Sequence, residues 1–243
     1  MKKEIQLCTL KLLKSKSDLA NLPERKMLIN TINAHSYNTA RKDHIFANAL
    51  LGGDVLIPDG AGIVWAFKIL RRETIQRIAG WDLFQFEMKK LNQKGGVCFF
   101  LGSSEKTLAK IKERASVVYP NIRLETYSPP YKPTFSDDDN FAMIEAVNKV
   151  NPDLLWIGMT APKQEKWAFE HFDSLNVKGH IGTIGAVFDF FAGTIERAPI
   201  WWQENSLEWA YRLLKEPRRM WKRYIIGNAK FMGYIIEESY FVK

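Results

Sequence analysis

Short apolar segments that end in glycine or polar residues alternate with helix-like segments along most of this chain. The clearest unit begins with the apolar segment from Asp153 to Gly158 and continues through a polar loop into a helix that starts near Gln164. A segment this short and apolar is typical of a strand buried on both faces of a parallel sheet. A strand, polar loop and helix start in this order form the unit that binds nucleotides and other anions, although a turn without a ligand fits equally well.

The same alternation recurs before and after this unit. Strands are predicted at 26–33, 54–57, 97–101, 122–126, 153–158 and 180–184, and a single helix is predicted at 34–51. Such alternation predicts an α/β protein with a Rossmann-like parallel sheet flanked by helices. We expect residues 1–200 to form a single α/β domain and residues 201–243 to form a C-terminal helical appendage.

The basic residues are concentrated near the two ends of the chain. The formal net charge is +8, of which residues 209–230 carry +6 and residues 1–26 carry +4, so the remainder is slightly acidic. A basic end on a nearly neutral body favours an anionic partner such as a membrane surface, a diphosphate or a nucleic acid. No nucleic-acid recognition motif accompanies the charge, so we expect no nucleic acid to bind.

Residues 218–236 predict an amphipathic helix with a basic side and an apolar, aromatic side. The basic stripe holds Arg219, Arg223 and Lys230, and the opposite side holds Trp221, Tyr224, Ile225, Phe231, Met232 and Ile235. This pattern is typical of a helix that lies in a membrane interface. A C-terminal helix that packs its apolar side on the domain is the alternative interpretation.

Neither a membrane span nor secretion is predicted. No apolar segment has the length of a transmembrane helix, and the N-terminus lacks the uninterrupted apolar stretch of a secretion signal. The two cysteines, Cys8 and Cys98, lie far apart in the sequence, which fits a reducing compartment without a disulfide framework. We therefore expect a cytoplasmic protein.

Polar residues end or follow the predicted strands. Because the carboxyl ends of parallel strands meet at one edge of a sheet, we expect these residues to gather there and to bind the ligand. They are Thr31, Asn33, Asp59, Gly60, Ser103, Ser104, Tyr127, residues 160–164, Thr183 and Gly185. One carboxylate among several hydroxyl and amide groups suits a sugar that carries an activated leaving group.

Asp59 is the carboxylate that stands out in this set. It directly follows a predicted strand and lies between Pro58 and Gly60, whose freedom at positive φ allows a sharp turn and a close approach to a ligand. A helix N-cap is the competing interpretation, because Asp is favoured at that position and a helix follows.

Other motifs give weaker signals. The segment Gly60-Ala61-Gly62 begins like a dinucleotide fingerprint but has Trp65 in place of the third glycine. Asp137-Asp138-Asp139 is a possible metal-binding motif, but it precedes a predicted helix whose dipole favours acidic residues. The four histidines have no metal-ligand spacing. We therefore expect neither a metal ion nor a cofactor.

A series of sequence motifs resembles one known family. The motifs are Thr31-Ile-Asn33, Pro58-Asp59-Gly60-Ala-Gly62, Gly80-Trp-Asp82-Leu83, Phe100-Leu-Gly102, Asp153-Leu-Leu-Trp-Ile-Gly158, Ala161-Pro-Lys-Gln164-Glu165, Gly185-Ala-Val-Phe-Asp189, Ala192-Gly193-Thr194, Arg197-Ala-Pro199, Leu207-Glu-Trp209 and Arg212-Leu-Leu-Lys-Glu216-Pro217-Arg218-Arg219. In this order, from about Lys26 to Tyr224, they resemble the WecG/TagA/CpsF glycosyltransferases. The first 25 residues match less well, and Trp81 stands where a small or aliphatic residue is expected.

The resemblance implies an inverting, metal-free hexosyltransferase. Such an enzyme moves a sugar, often N-acetylmannosamine or its uronic acid, from UDP to a polyprenyl-diphosphate-linked sugar. The products are wall teichoic acid linkage units, enterobacterial common antigen, capsule or exopolysaccharide. UDP-glucose is an alternative donor. The lipid-linked acceptor implies a peripheral location on the inner face of the cell membrane, reached through the C-terminal appendage, and a homo-oligomer that hides the apolar side of the appendage is left open.

The resemblance also suggests roles for individual residues. Asp59 is expected to be the catalytic base, and Thr31 is expected to act beside it. Substrate binding is expected of Asn33, Gly60, Asp82, Gly102, Gly158, Pro162, Gln164, Glu165, Gly185, Asp189, Arg212, Arg219 and Arg223. Two rival functions are a nicotinamide-dependent oxidoreductase and a non-catalytic nucleotide-sugar-binding protein at the membrane.

Overall fold

A six-stranded, all-parallel sheet forms the centre of the protein in the computed structural model, which describes residues 5–241. The strands are β1 (Met27–Ile32), β2 (Val55–Pro58), β3 (Gly96–Gly102), β4 (Ile122–Tyr127), β5 (Leu154–Gly158) and β6 (His180–Thr183). Their order across the sheet is β2-β1-β6-β5-β3-β4. The predicted α/β class and all six predicted strands are confirmed.

Helices connect the strands and continue beyond the sheet. They are α1 (Ala34–Ala40), α2 (His44–Leu51), α3 (Ala61–Arg71), α4 (Gly80–Lys94), α5 (Glu105–Val118), α6 (Asp137–Val150), α7 (Lys163–Glu170), α8 (Val187–Ala192), α9 (Ile200–Glu204), α10 (Glu208–Lys215), α11 (Pro217–Trp221) and α12 (Gly227–Phe241). A π-helical turn, Lys222–Ile226, joins α11 to α12, and short 3-10 helices lie at Leu7–Thr9 and Lys16–Asn21.

The prediction of one helix at 34–51 is wrong, because a second helix cap interrupts it. The chain turns between α1 and α2, where the Asp43 side chain accepts a hydrogen bond from Phe46 N at 3.0 Å and starts α2. The acidic segment Asp137-Asp138-Asp139 occupies the first turn of α6, where Ser136 and Asp139 form a capping box. Its interpretation as a helix start is therefore confirmed.

Apolar side chains cover both faces of the sheet. On one face, α4, α5 and α8 pack around Phe84, Phe100 and Trp156. On the other face, α6 and α7 pack around Val147 and Trp167. A third apolar cluster lies beside β2 and joins α1, α2, α3 and α12 to the first described residues of the chain. Burial on both faces explains why the strands are short, nearly continuous apolar segments.

The apolar side predicted for residues 218–236 is partly buried and partly exposed to solvent. Phe231 and Ile235 of α12 are buried in the third cluster, which confirms the packing interpretation for these two residues. Trp221 and Ile225, which precede α12, remain 45% and 55% exposed. None of the helices among residues 5–241 is long and apolar enough to cross a membrane.

The strand order creates a crevice at the carboxyl edge of the sheet. Strands β3 and β5 are neighbours, yet α5 leads from β3 outward to β4, whereas α7 leads from β5 in the opposite direction to β6. In parallel sheets, a reversal of this kind separates the two connections and leaves a ligand-binding crevice at the carboxyl ends of the strands. We therefore expect the ligand to bind at the loops after β3 and β5 and at the neighbouring loops of the same edge.

Candidate functional site

The carboxyl edge brings the predicted site residues into one row. Asp59 follows β2, Asn33 follows β1, Gly185 follows β6, the segment 158–165 includes the end of β5, and Gly102 ends β3. Three strand spacings separate β2 from β5, a distance of about 14 Å at about 4.8 Å per spacing. An extended nucleotide sugar is long enough to reach from the loop after β5 to Asp59.

The peptide unit between Pro58 and Asp59 is hydrogen-bonded at both its N–H and its C=O group. Asp59 N donates to Ile32 O at 2.8 Å, and Ile78 N donates to Pro58 O at 3.0 Å. The N-cap of α3 is Gly60, with φ of 134°, and no side chain caps this helix. The N-cap interpretation of Asp59 is therefore wrong. No hydrogen bond to the Asp59 carboxylate is formed by any residue between 5 and 241, so this carboxylate is available to a ligand.

The protonation of Asp59 is set by its surroundings. Removal of the carboxyl group from water is the main cause that raises its pKa to about 6. The positive charge of Arg77 opposes this shift, the negative charges of Glu208 and Asp82 add to it, and Arg223 has a smaller opposing effect. At neutral pH the group is mostly ionised, and its pKa is suited to proton removal near that pH.

An ion-pair cluster beside Asp59 was not predicted as part of the site. Glu208 at the start of α10 accepts from Arg77 Nη2 at 2.9 Å and from Arg197 Nε at 3.2 Å. Arg77 Nη1 also donates to Gln203 O at 3.2 Å. Arg197 and Glu208 lie in motifs that carry the family resemblance, which was the available signal. Arg77 lies in an irregular segment without a motif, and only the fold brings it to Asp59.

The C-terminal segment supplies cations to the same region. Burial is the main cause that lowers the pKa of Arg223, whose charge interacts with those of Arg212 and Asp59. The Nε atoms of Arg212 and Arg223 are buried and have no hydrogen-bond partner among the described residues. Arg219 instead pairs with Glu216 at 2.7 Å and is largely exposed. Arg212 and Arg223 therefore have donors available for an anion such as a diphosphate.

Thr31 and Asn33 lie at the end of β1, next to Asp59. Thr31 is in register with Ile57 of β2. Asn33 is the N-cap of α1, and its Oδ1 accepts from His35 N and Ser36 N, both at 3.0 Å. This leaves the amide N–H groups of Asn33 for a ligand. A Cβ atom added to Gly60 would lie 3.6 Å from the Asn33 Cβ, so the two loops are in contact.

Gln164 and Glu165 form a buried polar cluster under the loop after β5. Gln164 Oε1 accepts from Met159 N at 3.1 Å, and its Nε2 donates to Glu165 Oε1 at 2.8 Å. Burial raises the pKa of Glu165 to about 7. A Cβ atom on Gly185 would lie 3.1 Å from Gln164 Oε1. Gln164 therefore shapes the loop that ends at Pro162, the N-cap residue of α7.

Two glycines form the floor of the crevice between β3 and β5. Gly102 has φ of 119°, and a Cβ atom there would lie 2.4 Å from Gly158 O. A Cβ atom on Gly158 would lie 2.5 Å from the Phe188 ring. Ser103 N donates to Gly158 O at 3.0 Å. Side chains larger than hydrogen are excluded at both positions, because atoms of β5 and of α8 already occupy the space.

Two acidic residues predicted to bind substrate already have partners within the protein. Asp82 caps α4 by accepting from Ala79 N at 2.8 Å, and it pairs with Lys16 at 2.9 Å. Asp189 accepts from the Thr194 hydroxyl at 3.2 Å. Their contacts to a substrate stay predictions. Among residues 5–241, no three His, Cys, Asp or Glu side chains are grouped so that they could hold a metal ion.

Comparisons with known proteins identify one family and several similar proteins. Residues 6–243 match the sequence model of the glycosyl transferase WecG/TagA/CpsF family. A Bacillus subtilis (strain 168) protein named N-acetylglucosaminyldiphosphoundecaprenol N-acetyl-beta-D-mannosaminyltransferase is 30% identical over 212 residues, which cover 87% of this chain and 80% of that protein. A protein of the same name from Bacillus spizizenii (strain ATCC 23059 / NRRL B-14472 / W23) is 30% identical over 190 residues, or 78% of this chain and 71% of that protein. One from Staphylococcus aureus (strain MW2) is 26% identical over 215 residues, or 88% and 80%.

Proposed function

The chain belongs to the WecG/TagA/CpsF family of glycosyltransferases, and on that premise we propose that it is an inverting hexosyltransferase that uses a UDP-sugar. The acceptor is a sugar linked to polyprenyl diphosphate, and the donated sugar is of the N-acetylmannosamine type. The names of the relatives support both choices. UDP-glucose and UDP-N-acetylmannosaminuronic acid are the alternative donors. The observation that carries the proposal is Asp59, an unbonded carboxylate at the carboxyl edge whose pKa is raised to about 6.

Asp59 acts as the general base. It removes the proton from the acceptor hydroxyl while the hydroxyl oxygen forms a bond to the anomeric carbon of the donor sugar. The bond from that carbon to the UDP oxygen breaks on the opposite face, so the configuration inverts. The Thr31 hydroxyl and the Asn33 amide lie at the adjacent strand end and orient the reacting sugars. General base catalysis of this kind typically contributes about 10²–10⁴-fold to the rate.

The departing UDP carries negative charge that the protein has to stabilise. Arg212 and Arg223 supply cations with free donors, and the start of α7 supplies backbone N–H groups. The loop 158–162 holds the nucleotide, with Gln164 and Glu165 beneath it as supports. In this proposal the diphosphate lies between the C-terminal segment and the crevice at β3 and β5.

The C-terminal segment also docks the enzyme at the membrane, where the lipid-linked acceptor lies. Its exposed apolar residues include Trp201, Leu214, Trp221 and Ile225. Seven basic residues between 209 and 230 lie in the same segment. Exposed aromatic and aliphatic side chains combined with basic charge favour the interface of an anionic membrane. The enzyme is therefore peripheral on the inner face of the cell membrane.

Transfer to a short-chain polyprenyl-diphosphate-GlcNAc, detected by mass spectrometry, tests the function. Each UDP-sugar is assayed with and without EDTA, using wild type, Asp59→Asn and Asp173→Asn. Asp173 is an exposed carboxylate between α7 and β6, where the chain returns to the amino ends of the strands. We expect product from one donor, insensitive to EDTA, reduced at least about 10²-fold by Asp59→Asn and unchanged by Asp173→Asn. The stereochemistry of the product, read by NMR, checks the inversion.

Two results would contradict the proposal. Equal activity of Asp59→Asn and wild type would remove Asp59 from the mechanism. Binding of UDP without turnover for any donor or lipid-linked acceptor would favour the non-catalytic sensor. The pH profile gives a further check, because a base with a pKa of about 6 predicts that kcat/KM falls as the pH decreases through 6.

A further inference from the structure

The Arg77 side chain is hydrogen-bonded to the C-terminal segment and not to Asp59. Both side-chain hydrogen bonds that Arg77 forms with the described residues lead to that segment, at Gln203 O and Glu208 Oε2. Ile78 N donates to Pro58 O at 3.0 Å, which brings the neighbouring residues Arg77 and Asp59 close together. The charge of Arg77 is also the strongest one that lowers the pKa of Asp59, yet no hydrogen bond joins the two side chains. An arginine this close to an unpaired carboxylate would ordinarily form a charge-assisted pair with it. Some other group therefore has to keep it occupied.

Glu208 is that group. Both of its carboxylate oxygens accept from arginines, Oε1 from Arg197 and Oε2 from Arg77 and Arg197, at distances between 2.9 and 3.4 Å. The Arg197 guanidinium also lies over the Trp81 ring, 5.4 Å from its centre, which fixes the far end of the bridge. Since its oxygens are already bonded, Glu208 is poorly placed to bind a substrate hydroxyl.

We propose that Glu208 is a positioning residue that bridges Arg77 and Arg197 and thereby leaves the Asp59 carboxylate free to act as the base. The proposal rests on the proposed function of Asp59. It gives α10 a role in the chemistry, because the helix that carries Arg212 also carries the carboxylate that sets the charge balance around Asp59.

The charge balance at Asp59 involves four elements. Arg77 lies in the segment before α4, Asp82 in the first turn of α4, Glu208 in α10 and Arg223 in the π-helical turn. Replacement of Glu208 by Gln removes a negative charge near Asp59 and also releases Arg77 to pair with it. Both changes stabilise the ionised form of Asp59 and make it a weaker base.

The experiment compares wild type, Glu208→Gln and the control Glu73→Gln in the full chain. Glu73 also bridges two cations, Arg71 at 2.8 Å and Lys14 at 2.9 Å, but it lies outside the site. The readouts are the pH profile of sugar transfer and the titration of the Asp59 carboxyl carbon by NMR without substrate. For Glu208→Gln we expect the acid limb to move down by about one pH unit and kcat at high pH to fall by about tenfold. KM for the donor should change by less than about twofold. Glu73→Gln should behave like wild type.

A double-mutant cycle with Arg77→Met tests whether Glu208→Gln acts on Asp59 through Arg77. In that background there is no Arg77 to release, so the shift caused by Glu208→Gln should be less than about half of its original size. If Glu208→Gln does not fold, Glu208→Asp replaces it, since the shorter side chain cannot hold both arginines, and a smaller shift in the same direction is expected.

Unchanged Asp59 titration and an unchanged acid limb in folded Glu208→Gln would overturn the proposal. Rates that fall equally at every pH would also overturn it, because they would show a purely structural role. If the wild-type protein transferred no sugar, the proposed function would fail, while the NMR titration would still report whether Glu208 controls Asp59.

Discussion

Asp59 is expected to destabilise the folded protein at the pH at which it works. Its pKa is about 6 in the fold, above its usual value near 3.8, so the folded state binds the proton more tightly than the unfolded state. Stability is therefore lost as the pH rises from about 4 through 6. Asp59→Asn should raise the free energy of unfolding by about 1–2 kcal/mol at pH 7.5, with little gain at pH 4. Denaturant unfolding at the two pH values measures this.

The same variant should lose transfer activity while it gains stability. A less stable Asp59→Asn protein at pH 7.5 would contradict the raised pKa. Asp173→Asn is the control, because it makes the same chemical change at an exposed carboxylate outside the site. A gain in stability coupled to a loss of activity is a known property of functional residues that the fold holds in an unfavourable environment.

The backbone at Gly102 makes a second prediction at the scale of a residue. Gly102→Ala should cost at least about 2 kcal/mol, because φ is 119° and the new Cβ would meet Gly158 O at 2.4 Å. Gly233→Ala is the control in α12, where nothing lies within 4 Å of the added Cβ. It should stabilise the protein by about 0.5–1 kcal/mol through helix propensity. Equal effects of the two substitutions would contradict the close contact of β3 with β5.

At the scale of elements, the exposed part of the C-terminal segment predicts membrane binding. Trp221→Ser with Ile225→Ser should weaken binding to vesicles that contain anionic lipid by at least about tenfold, because apolar area is lost while the charge is unchanged. Val117→Ser with Val118→Ser removes exposed apolar groups from α5, a helix without aromatic residues that lies outside the C-terminal segment. This double variant should bind the vesicles as wild type does. Co-sedimentation with anionic and neutral vesicles measures both. Equal loss in the two double variants would contradict a specific docking surface.

The strands could be predicted from the sequence more easily than the breaks within helical segments. The six strands follow from their apolar character and from the turn residues that bound them, so local sequence was sufficient. The break between α1 and α2 depends on one hydrogen bond that the Asp43 side chain accepts at the start of α2. The apolar pattern of residues 34–51 favours a continuous helix and gives no sign of this break. Phe231 and Ile235 share a helix side with exposed residues. Only tertiary packing distinguishes them, so the sequence could not tell which part of the segment would be buried.

At the scale of the whole molecule, the site depends on parts of the chain that lie far apart in sequence. The location of Asp59 and Thr31 at the carboxyl edge could be predicted because Asp59 follows a strand and Thr31 lies near the end of one, and parallel strands bring their ends together. The bridge from Arg77 to Glu208 spans 131 residues and joins an irregular segment to a short helix. No local pattern encodes such a pair. Local sequence also gives no information on the contacts across the predicted boundary between residues 1–200 and 201–243, because these contacts form only in the folded chain.

The two ends of the described chain meet on α1. The Tyr37 hydroxyl donates a short hydrogen bond to Glu238 Oε1, Cys8 N donates to Glu238 Oε2 at 3.1 Å, and the Phe231 ring packs edge-on against Tyr37. Glu238 is 1% exposed. With these contacts, α12 should unfold together with the sheet and not as a separate appendage.

Phe231→Ala tests this cooperativity. Loss of the buried ring should cost about 3–5 kcal/mol and lower the midpoint of one common thermal transition by roughly 6–20 °C. Met232→Ala is the adjacent control and should change little, since Met232 is exposed. Near-ultraviolet circular dichroism of the packed aromatic side chains, among them the buried Trp156 of β5, reports on the core during the same scan, and far-ultraviolet circular dichroism reports on the helices. An early loss of helix with an unchanged near-ultraviolet transition would show that α12 is an independent unit, and the C-terminal segment would then be able to detach from the rest of the fold.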